Sequence, residues 1–129
     1  KGSYSDSNYA KAMGGYTDKL IMSDDTLNNI ITSTSIDIGK NLITGNIYCS
    51  DAFYEVDYDY KERVNNLDVL GIEMETFALF SNAKKFNKKA TSLLTVSDLF
   101  FSDEKMSSNE RERELNDMIT LALESCLKL

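Results

Sequence analysis

Short continuous apolar runs and stretches with helical spacing follow one another along the second half of the chain. The runs Val69–Ile72 and Thr91–Val96 are typical of buried strands. Between them, apolar residues at helical spacing predict a helix from about Met74 to Phe86. A last helix is predicted from Ser107, where Ser107-x-x-Glu110 has the pattern of a capping box, to about Leu127. The predicted buried faces contain Leu79, Phe80, Ala83 and Phe86 in the first helix, and Leu115, Met118, Ile119, Ala122 and Cys126 in the second.

The first half of the chain contains one clear helix signal. Ser23-Asp24-Asp25 supplies an N-cap and an acidic first turn for a helix that we expect to continue to about Lys40. The β-branched segment Asn41–Tyr48 predicts a strand, and Asp59–Asn66 predicts a short helix. The first 20 residues are polar and contain Gly14-Gly15, which favours a short strand or a loop. The apolar stripe of the long helix is predicted to contain Leu27, Ile30, Ile31 and Ile38.

These elements predict the class of fold. Strands that alternate with helices indicate an α/β fold, here with a mixed, at least partly parallel central sheet and flanking helices. At 129 residues, a single core removes roughly two-thirds of the surface of the unfolded chain from water. We therefore expect the whole chain to belong to a single domain.

Composition narrows the classes of function. The 21 acidic and 14 basic residues give a net charge of −7, which argues against a nucleic-acid-binding protein because phosphate neutralisation requires clustered Lys and Arg. No apolar run is long enough for a membrane span, and no leader pattern is present. Cys49 and Cys126 have no CxxC spacing, which favours reduced thiols and a cytoplasmic protein. The sequence begins Lys1-Gly2 without Met, so we expect a piece of a longer polypeptide.

The chain has no histidine. This excludes Ser/His and Cys/His nucleophile systems, the usual zinc sites and the commonest general base. Catalysis would therefore depend on carboxylates, Arg, Lys, Tyr, hydroxyl groups or backbone groups, and no metal site is expected.

Acidic residues follow two of the predicted strands. Glu73-Met74-Glu75 follows one of them, and Ser97-Asp98 follows the other. Ligands of open α/β folds bind beyond the carboxyl ends of the strands. A carboxyl group half shielded at such a rim has a raised pKa and is suited to donate a proton near neutral pH. The alternative, which spacing alone favours, is that Glu75 and Asp98 only cap helices or lie in their first turns.

Arg111 lies in the first turn of the last predicted helix, where a cation meets the positive end of the helix dipole. Residues that break a local rule tend to occur at functional sites, so an anionic partner such as Asp98 is a candidate. The alternative, which the sequence by itself favours, is an exposed salt bridge with Glu112 or Glu114.

Two further clusters of residues are weaker candidates for a binding site. The segment Phe53–Tyr60 mixes aromatic and acidic residues, so it could stack on a flat ligand, or Asp57 and Asp59 could bind a cation. The glycine of a calcium loop is absent, which weakens the second interpretation. A solvated helix end explains the only basic cluster, which contains Lys84, Lys85, Lys88 and Lys89.

Specific strings resemble the bacterial hexameric purine nucleoside phosphorylases. Ile72-Glu73-Met74-Glu75-Thr76 and Leu94-Thr95-Val96-Ser97-Asp98 have the pattern of that family. Ser50-Asp51-Ala52-Phe53-Tyr54 is similar to its base-binding loop. Its final helix is similar to Glu110-Arg111, Asn116-Asp117-Met118-Ile119 and Ala122-Leu123-Glu124-Ser125. The glutamate-methionine-glutamate string is shared with hydrolytic nucleosidases, whereas the Ser-Asp pair and the arginine-bearing helix favour the phosphorylases. The resemblance is best from about Leu42 to the C-terminus.

The resemblance implies a role for each matching residue. Phe53 would stack on the purine, Ile72 and the backbone around Glu73 would line the base pocket, and Ser97 would orient the site. Met74 would pack against the ribose, and Glu75 would hold its hydroxyl groups. Asp98 would be the general acid that protonates the purine at N7, assisted by Arg111. Such acid catalysis contributes roughly 10²–10⁴-fold. An aspartate at this position further implies that both 6-amino and 6-oxo purines are accepted.

The resemblance also implies the partners of the chain. Inorganic phosphate would be the nucleophile and co-substrate, with no cofactor, in a cytoplasmic homo-oligomer that is a hexamer in the family. The family's phosphate-binding glycine loop and arginines belong to an N-terminal half that has no counterpart here. Residues 1–129 would then be the C-terminal portion of a single nucleoside phosphorylase-like domain. Leu99 and Glu112 stand where the family usually has His and Gln.

Two other functions stay open from the sequence. A hydrolytic purine nucleosidase would use water in place of phosphate and would need no phosphate-binding arginines. A catalytically inert fragment of the phosphorylase would expose the apolar surface against which the missing strands pack. Dependence of the reaction on phosphate distinguishes the first of these from the phosphorylase.

Overall fold

Nine regular elements are present in the part of the chain that the computed structural model describes, which is residues 1–54, 60–99 and 106–129. The strands are β1 (Gly2–Tyr4), β2 (Leu20–Met22), β3 (Ile47–Cys49) and β4 (Ile72–Glu73). The helices are α1 (Tyr9–Gly14), α2 (Asp25–Asp37), α3 (Tyr60–Asn65), α4 (Thr76–Lys85) and α5 (Ser108–Cys126). The side chains at positions 60, 61, 63, 108 and 111–114 lie outside this description.

The strands form one mixed sheet in the order β2-β1-β3-β4. β1 pairs antiparallel with β2 and parallel with β3, and β3 pairs parallel with β4. The predicted α/β class with a mixed, partly parallel sheet is therefore confirmed.

One face of the sheet carries an aromatic and aliphatic row. Tyr4, Tyr48 and Ile72 are aligned in register across β1, β3 and β4. All three pack in one apolar cluster with Val64 of α3, which is buried. Helix α3 therefore contributes to the core on this side of the sheet.

The opposite face of the sheet carries a second cluster. Cys49 follows Tyr48 in β3 and so points to the other side, since successive strand residues alternate between faces. There it packs with Ile21 of β2, Ala10 of α1, and Phe77 and Phe80 of α4. Helices α1 and α4 thus cover this face, and successive β3 residues, Tyr48 and Cys49, contribute to the two clusters.

Helix α2 begins where the sequence predicts but ends before the predicted C-terminal residue, Lys40. Asp24 Oδ1 accepts a hydrogen bond of 2.9 Å from the N–H of Leu27, as an N-cap residue does. The helix ends at Asp37 rather than Lys40, because Gly39 adopts a left-handed backbone with φ 66°. The N–H of Lys40 then donates to the carbonyl of Ser35 at 2.8 Å, a bond typical of helix termination.

The other predicted helices are confirmed with small changes of their ends. The predictions Asp59–Asn66, Met74–Phe86 and Ser107–Leu127 correspond to α3, α4 and α5. The capping box of α5 is present: the Ser107 hydroxyl accepts from the N–H of Glu110 at 3.3 Å, and the Glu110 carboxylate accepts from the N–H of Ser107 at 2.8 Å.

The predicted buried faces of α4 and α5 are partly wrong. In α4, Leu79 and Phe86 are exposed, and the buried residues are Thr76, Phe77, Phe80 and Ser81. In α5, Leu121 and Ser125 are buried, whereas Leu115, Ile119 and Cys126 are exposed. The hydroxyls of Ser81 and Ser125 donate to carbonyls of their own helices, at 2.5 and 2.7 Å. Because this bond satisfies a buried serine, the buried stripe contains polar residues that a hydrophobic pattern does not detect.

The predicted strands require the largest corrections. Asn41–Tyr48 is a strand only from Ile47, and Val69–Ile72 only at Ile72, where β4 begins. The predicted strand Thr91–Val96 is wrong, since residues 91–97 have no regular structure and only Asp98 makes an isolated bridge. A strand exists through ladder bonds to a neighbour. In the described part of the chain the sheet consists of β1 to β4, and residues 91–96 pair with none of these strands.

The chain divides into two compact units. The first, Lys1–Asn28 with Ile43–Ser92, contains the sheet. The second, Asn29–Leu42 with Leu93–Leu129, contains most of α2 and all of α5. Two exposed ion pairs join its two segments: Lys40, just after α2, lies 2.7 Å from Asp117 of α5, and Lys128, just after α5, lies 2.6 Å from Asp37 of α2. No helix in the described ranges is long and apolar enough to cross a lipid bilayer.

Candidate active site

The carboxyl ends of three parallel strands meet at one edge of the sheet in the first unit. β1, β3 and β4 are aligned in register, so the residues that follow them emerge side by side. Such an edge is the usual ligand position in open α/β sheets. The residues that follow the strands are Ser5-Asp6-Ser7 after β1, Ser50-Asp51 after β3, and Met74-Glu75 after β4.

Hydrogen bonds fix the backbone of this edge. The buried Ser5 hydroxyl donates to the carbonyl of Cys49 at 2.7 Å and accepts from the N–H of Ser7 at 3.1 Å. The N–H of Ser50 donates to the carbonyl of Glu73 at 2.8 Å. Because these bonds join β1 to β3 and β3 to β4 beyond the last ladder pairs, the three strand ends form one continuous rim.

The carboxylate of Glu73 caps a helix. Its Oε2 accepts hydrogen bonds from the N–H groups of Glu75 and Thr76, each at 2.8 Å. The first N–H groups of a helix have no partner within it, and a negative charge there is favoured by the helix dipole. Glu73 therefore caps α4 from the end of β4, and its side chain is engaged with backbone groups.

Met74 and Glu75 form the turn between β4 and α4. Met74 is 40% exposed, and Glu75 is also exposed. One oxygen of Glu75, Oε2, accepts a bond of 3.2 Å from the N–H of Met74. The expectation of a half-shielded carboxyl group at this strand end is thus wrong for Glu75, since its side chain is exposed. The exposed carboxylate is accessible to a ligand.

Phe53 and Ile72 have different surroundings. Phe53 is 78% exposed, and its ring lies edge-on to that of Tyr54 with the centroids 5.0 Å apart. Most of its surface is therefore accessible to a flat ligand. Ile72 is half-buried and packs in the cluster around Tyr48, which gives it a core contact.

Ser97 and Asp98 belong to the second unit. The Ser97 hydroxyl donates to Asp98 Oδ2 at 2.7 Å, and the Ser97 carbonyl accepts from the N–H of Met106 at 2.8 Å. Asp98 is exposed rather than half shielded, because the residues before it do not form the buried strand that was predicted. The Ser97 hydroxyl nevertheless holds the carboxylate in a defined orientation.

Several predicted features fall outside the described residues. The backbone of Arg111 lies in the first turn of α5, as predicted, but its side chain is not described. The same holds for its predicted pairing with Asp98, for the alternative with Glu112 or Glu114, and for Asp57 and Asp59. Within the described ranges, no three His, Cys, Asp or Glu side chains are grouped so that they could hold a metal ion.

A shallow depression of about 310 Å³ lies elsewhere on the first unit, between β2 and α4. Its walls include Ile21, Phe80 and Lys84. None of the predicted site residues lines it. Lys84 is itself engaged there, since its Nζ lies 3.5 Å from an Asp18 carboxylate oxygen and 4.3 Å from the centroid of the Tyr16 ring.

Two hydroxyl residues lie behind the β4–α4 turn and are not among the predicted site residues. Ser3 of β1 and Thr76 of α4 are buried and lie within hydrogen-bond distance of each other, and Thr76 also reaches Glu73. The position of Thr76 directly after the Glu73-Met74-Glu75 string was the available signal. A single serine in a short strand gave none.

The family of the chain follows from comparison with known proteins. Residues 4–128 match the family described as the Phosphorylase superfamily. The chain belongs to this superfamily. The predicted resemblance is thereby confirmed at the level of the superfamily.

Curated relatives in the phosphorylase superfamily carry a more specific name. The chain is 43% identical over 93 residues to a DeoD-type purine nucleoside phosphorylase of Listeria monocytogenes serotype 4a, a match that covers 72% of this chain and 40% of the relative. A relative of the same name from Limosilactobacillus reuteri is 42% identical over 90 residues, covering 70% of this chain and 38% of its own length. These matches thus cover about two-fifths of the length of each curated relative.

A solved structure supports the fold of this phosphorylase-superfamily chain. The crystal structure of the 5'-methylthioadenosine/S-adenosyl homocysteine nucleosidase of Campylobacter jejuni superposes with a TM-score of 0.73, covering 100% of this chain and 62% of that one. At 19% identity this likeness shows a shared α/β fold.

Proposed function

We propose that this chain is part of a purine nucleoside phosphorylase, which catalyses the reversible phosphorolysis of purine ribonucleosides and deoxyribonucleosides. The products are the free base and ribose or deoxyribose 1-phosphate. The observation that carries the proposal is the 43% identity to a Listeria protein named for this activity. The enzyme would act in purine salvage.

The β4–α4 turn is the proposed nucleoside site. Glu75 binds the ribose hydroxyls, Met74 packs against the sugar, and Phe53 stacks on the purine. Their exposure supports these roles, because an exposed carboxylate, thioether and ring beside parallel strand ends are accessible to a ligand. Ile72 and the backbone at Glu73 line the base pocket.

Asp98 is the proposed general acid. Cleavage of the N-glycosidic bond leaves the bonding electrons on the purine and positive charge on the ribose. A proton from Asp98 to N7 neutralises the departing base, while a phosphate oxygen attacks the anomeric carbon. The bond of 2.7 Å from Ser97 supports the assignment, since it orients the carboxylate. Arg111 would assist the proton transfer.

The phosphate site is proposed to lie outside this sequence, in polypeptide that the relatives have and that the match does not cover. Residues 1–129 would then be the C-terminal portion of one domain. The partial coverage of the relatives supports this, since the match covers 40% of the Listeria protein. Inorganic phosphate is the proposed co-substrate, and no cofactor is required.

The proposed assembly is a cytoplasmic homo-oligomer, specifically a hexamer. Apolar side chains exposed on α5 support association, because contiguous exposed apolar surface marks interaction sites. They include Ile119 at 46% and Leu123 at 63% exposure. The free thiols of Cys49 and Cys126 are consistent with a reducing compartment.

The test is release of purine from adenosine and inosine, with and without inorganic phosphate. The 129-residue chain is assayed alone and together with the part of the Listeria relative that the match leaves out. We expect cleavage that requires phosphate and appears only in the mixture.

The other results of this assay would overturn the proposal. Purine release without phosphate would identify a hydrolytic nucleosidase. Absence of cleavage in the mixture, with the Listeria parts active when combined with each other, would identify an inert fragment.

A further inference from the structure

Two buried hydroxyl groups connect β1 to the turn that carries Glu75. Ser3 is 0% and Thr76 is 3% exposed. Thr76 Oγ1 lies 2.8 Å from Ser3 Oγ and 2.6 Å from Glu73 Oε1. A hydroxyl group has one proton to donate, and a carboxylate can only accept. Thr76 therefore donates to Glu73 and accepts from Ser3.

The Glu73 carboxylate is the centre of this network. Its Oε1 accepts from the Thr76 hydroxyl, and its Oε2 accepts from the N–H groups of Glu75 and Thr76. Three donors on two oxygens fix both the position and the rotation of the carboxylate. The backbone of Glu75 is in turn fixed, because its N–H is one of those donors.

The location of the hydroxyls indicates that they do more than fill space. Burying a polar group costs free energy unless it is hydrogen-bonded, and an alanine–valine pair would fill similar volume without that cost. The chain of bonds ends on the carboxylate that holds the turn, and Glu75 is exposed at the tip of that turn. The buried pair is thus linked, through Glu73, to an accessible carboxylate.

We propose that Thr76, supported by Ser3, is a positioning residue that sets the direction of the Glu75 carboxylate toward the ribose. Thr76 acts through Glu73 and does not itself contact the sugar. This inference rests on the proposed role of Glu75 in binding ribose hydroxyls.

The matched variants are Thr76→Val, which keeps the shape and removes the hydroxyl, and Thr76→Ser, which keeps the hydroxyl. The first measurement is amide hydrogen exchange of the ligand-free chain. Thr76→Val is expected to speed exchange at the N–H groups of Glu75 and Thr76 about tenfold, the size of one lost hydrogen bond to a charged group. The N–H of Ala12, bonded to the Asn8 carbonyl in α1, is the internal control for a general loss of stability.

The second measurement is the ratio of affinities for inosine and 2′,3′-dideoxyinosine, measured by titration calorimetry on the chain combined with the remaining part of the Listeria relative. The natural protein should prefer inosine, because Glu75 binds the sugar hydroxyls. Thr76→Val should reduce this preference about tenfold, whereas Thr76→Ser should retain it.

The two measurements separate the possible failures. A natural protein without preference for inosine would refute the ribose role of Glu75, and the exchange experiment would still decide whether Thr76 fixes the turn. Unchanged exchange at Glu75 in Thr76→Val would overturn the positioning role. An unchanged preference in that variant, in a protein that does discriminate, would overturn it as well.

Discussion

The hydroxyl of Ser5 donates a hydrogen bond of 2.7 Å to the carbonyl of Cys49, although the two residues are 44 positions apart in the sequence. Both residues are buried, at 3% and 4% exposure. Each lies at the carboxyl end of its strand, β1 or β3, so the bond extends the pairing of two short strands into the rim that carries the candidate site. A single side chain thereby substitutes for ladder bonds that three-residue strands cannot supply.

Ser5→Ala is expected to destabilise the chain by about 1–3 kcal/mol, because the buried Cys49 carbonyl and the N–H of Ser7 both lose a partner. Urea unfolding measures the change. Ser33→Ala is the matched control, since its hydroxyl is exposed and donates to the Ile30 carbonyl within its own helix. The free energy of unfolding of that variant should stay within about 0.5 kcal/mol of the value for the natural protein. Equal losses in the two variants would contradict the special role of Ser5.

The helices were largely predictable because their signals are local. Asp24 and the Ser107–Glu110 pair act through bonds that reach only three residues along the chain. A sequence displays such pairs directly. Which face of α4 is buried was not predictable in the same way. That face includes Ser81, a polar residue whose hydroxyl donates to the Phe77 carbonyl of the same helix.

The strands and the site were harder to predict because both depend on distant partners. Residues 91–96 have the composition of a strand, yet a strand also needs a neighbour, and composition does not reveal whether one is present. The Glu73 carboxylate caps α4, a role that no local sequence pattern indicates. Ser3 is 73 residues from Thr76, so no local pattern could have connected them.

Thr34→Val is expected to stabilise the chain by about 1 kcal/mol. Thr34 is 1% exposed, and its hydroxyl has no hydrogen-bond partner among the described residues. Valine replaces that hydroxyl by a methyl group of similar size and so removes an unsatisfied buried polar atom. Thr34→Ser retains the hydroxyl and loses the methyl, and it should be destabilising. Chemical denaturation of both variants gives the comparison, and a less stable Val variant would refute the argument.

The two cysteines are expected to differ in reactivity. Burial raises the pKa of the Cys49 thiol to about 11, with a smaller opposing effect from the backbone N–H of Phe77. Since the thiolate is the reactive form, Cys49 should be inert at pH 8 while the exposed Cys126 reacts. Thiol titration with a chromogenic disulfide should count one group in the native chain and two in denaturant. Cys126→Ser should leave none in the native state, and rapid modification of that variant would be the contrary result.

The capping box should make the stability of α5 depend on acid pH. The N–H of Ser107, and to a lesser degree its side chain, lowers the pKa of Glu110 below the ordinary value of 4.5. A carboxyl group whose pKa is lower in the folded state stabilises fully above 4.5 and loses that contribution as the pH falls through the folded value. Ionised Glu110 therefore favours the folded helix near neutral pH.

Carbon-detected NMR titration of Glu110 in two variants tests this origin. Ser107→Ala keeps the backbone N–H and removes the hydroxyl, so it should raise the pKa of Glu110 only part of the way back to its ordinary value. Ser107→Pro removes both donors at a φ of −64° that proline tolerates, and should return the pKa of Glu110 to its ordinary value. An unshifted Glu110 in the natural chain would disprove the attribution.

Asp98→Asn is expected to reduce phosphate-dependent cleavage of adenosine by roughly 10²–10⁴-fold, the usual contribution of a positioned general acid. An amide accepts the Ser97 bond as the carboxylate does but carries no proton that it can give to N7, so folding should change little. Asp117→Asn is the matched control, because Asp117 is an exposed aspartate whose partner is Lys40. Initial rates and unfolding midpoints are measured for both variants under identical conditions. Full turnover by Asp98→Asn would remove Asp98 from the mechanism, and a loss shared with Asp117→Asn would indicate a general effect of lost charge instead.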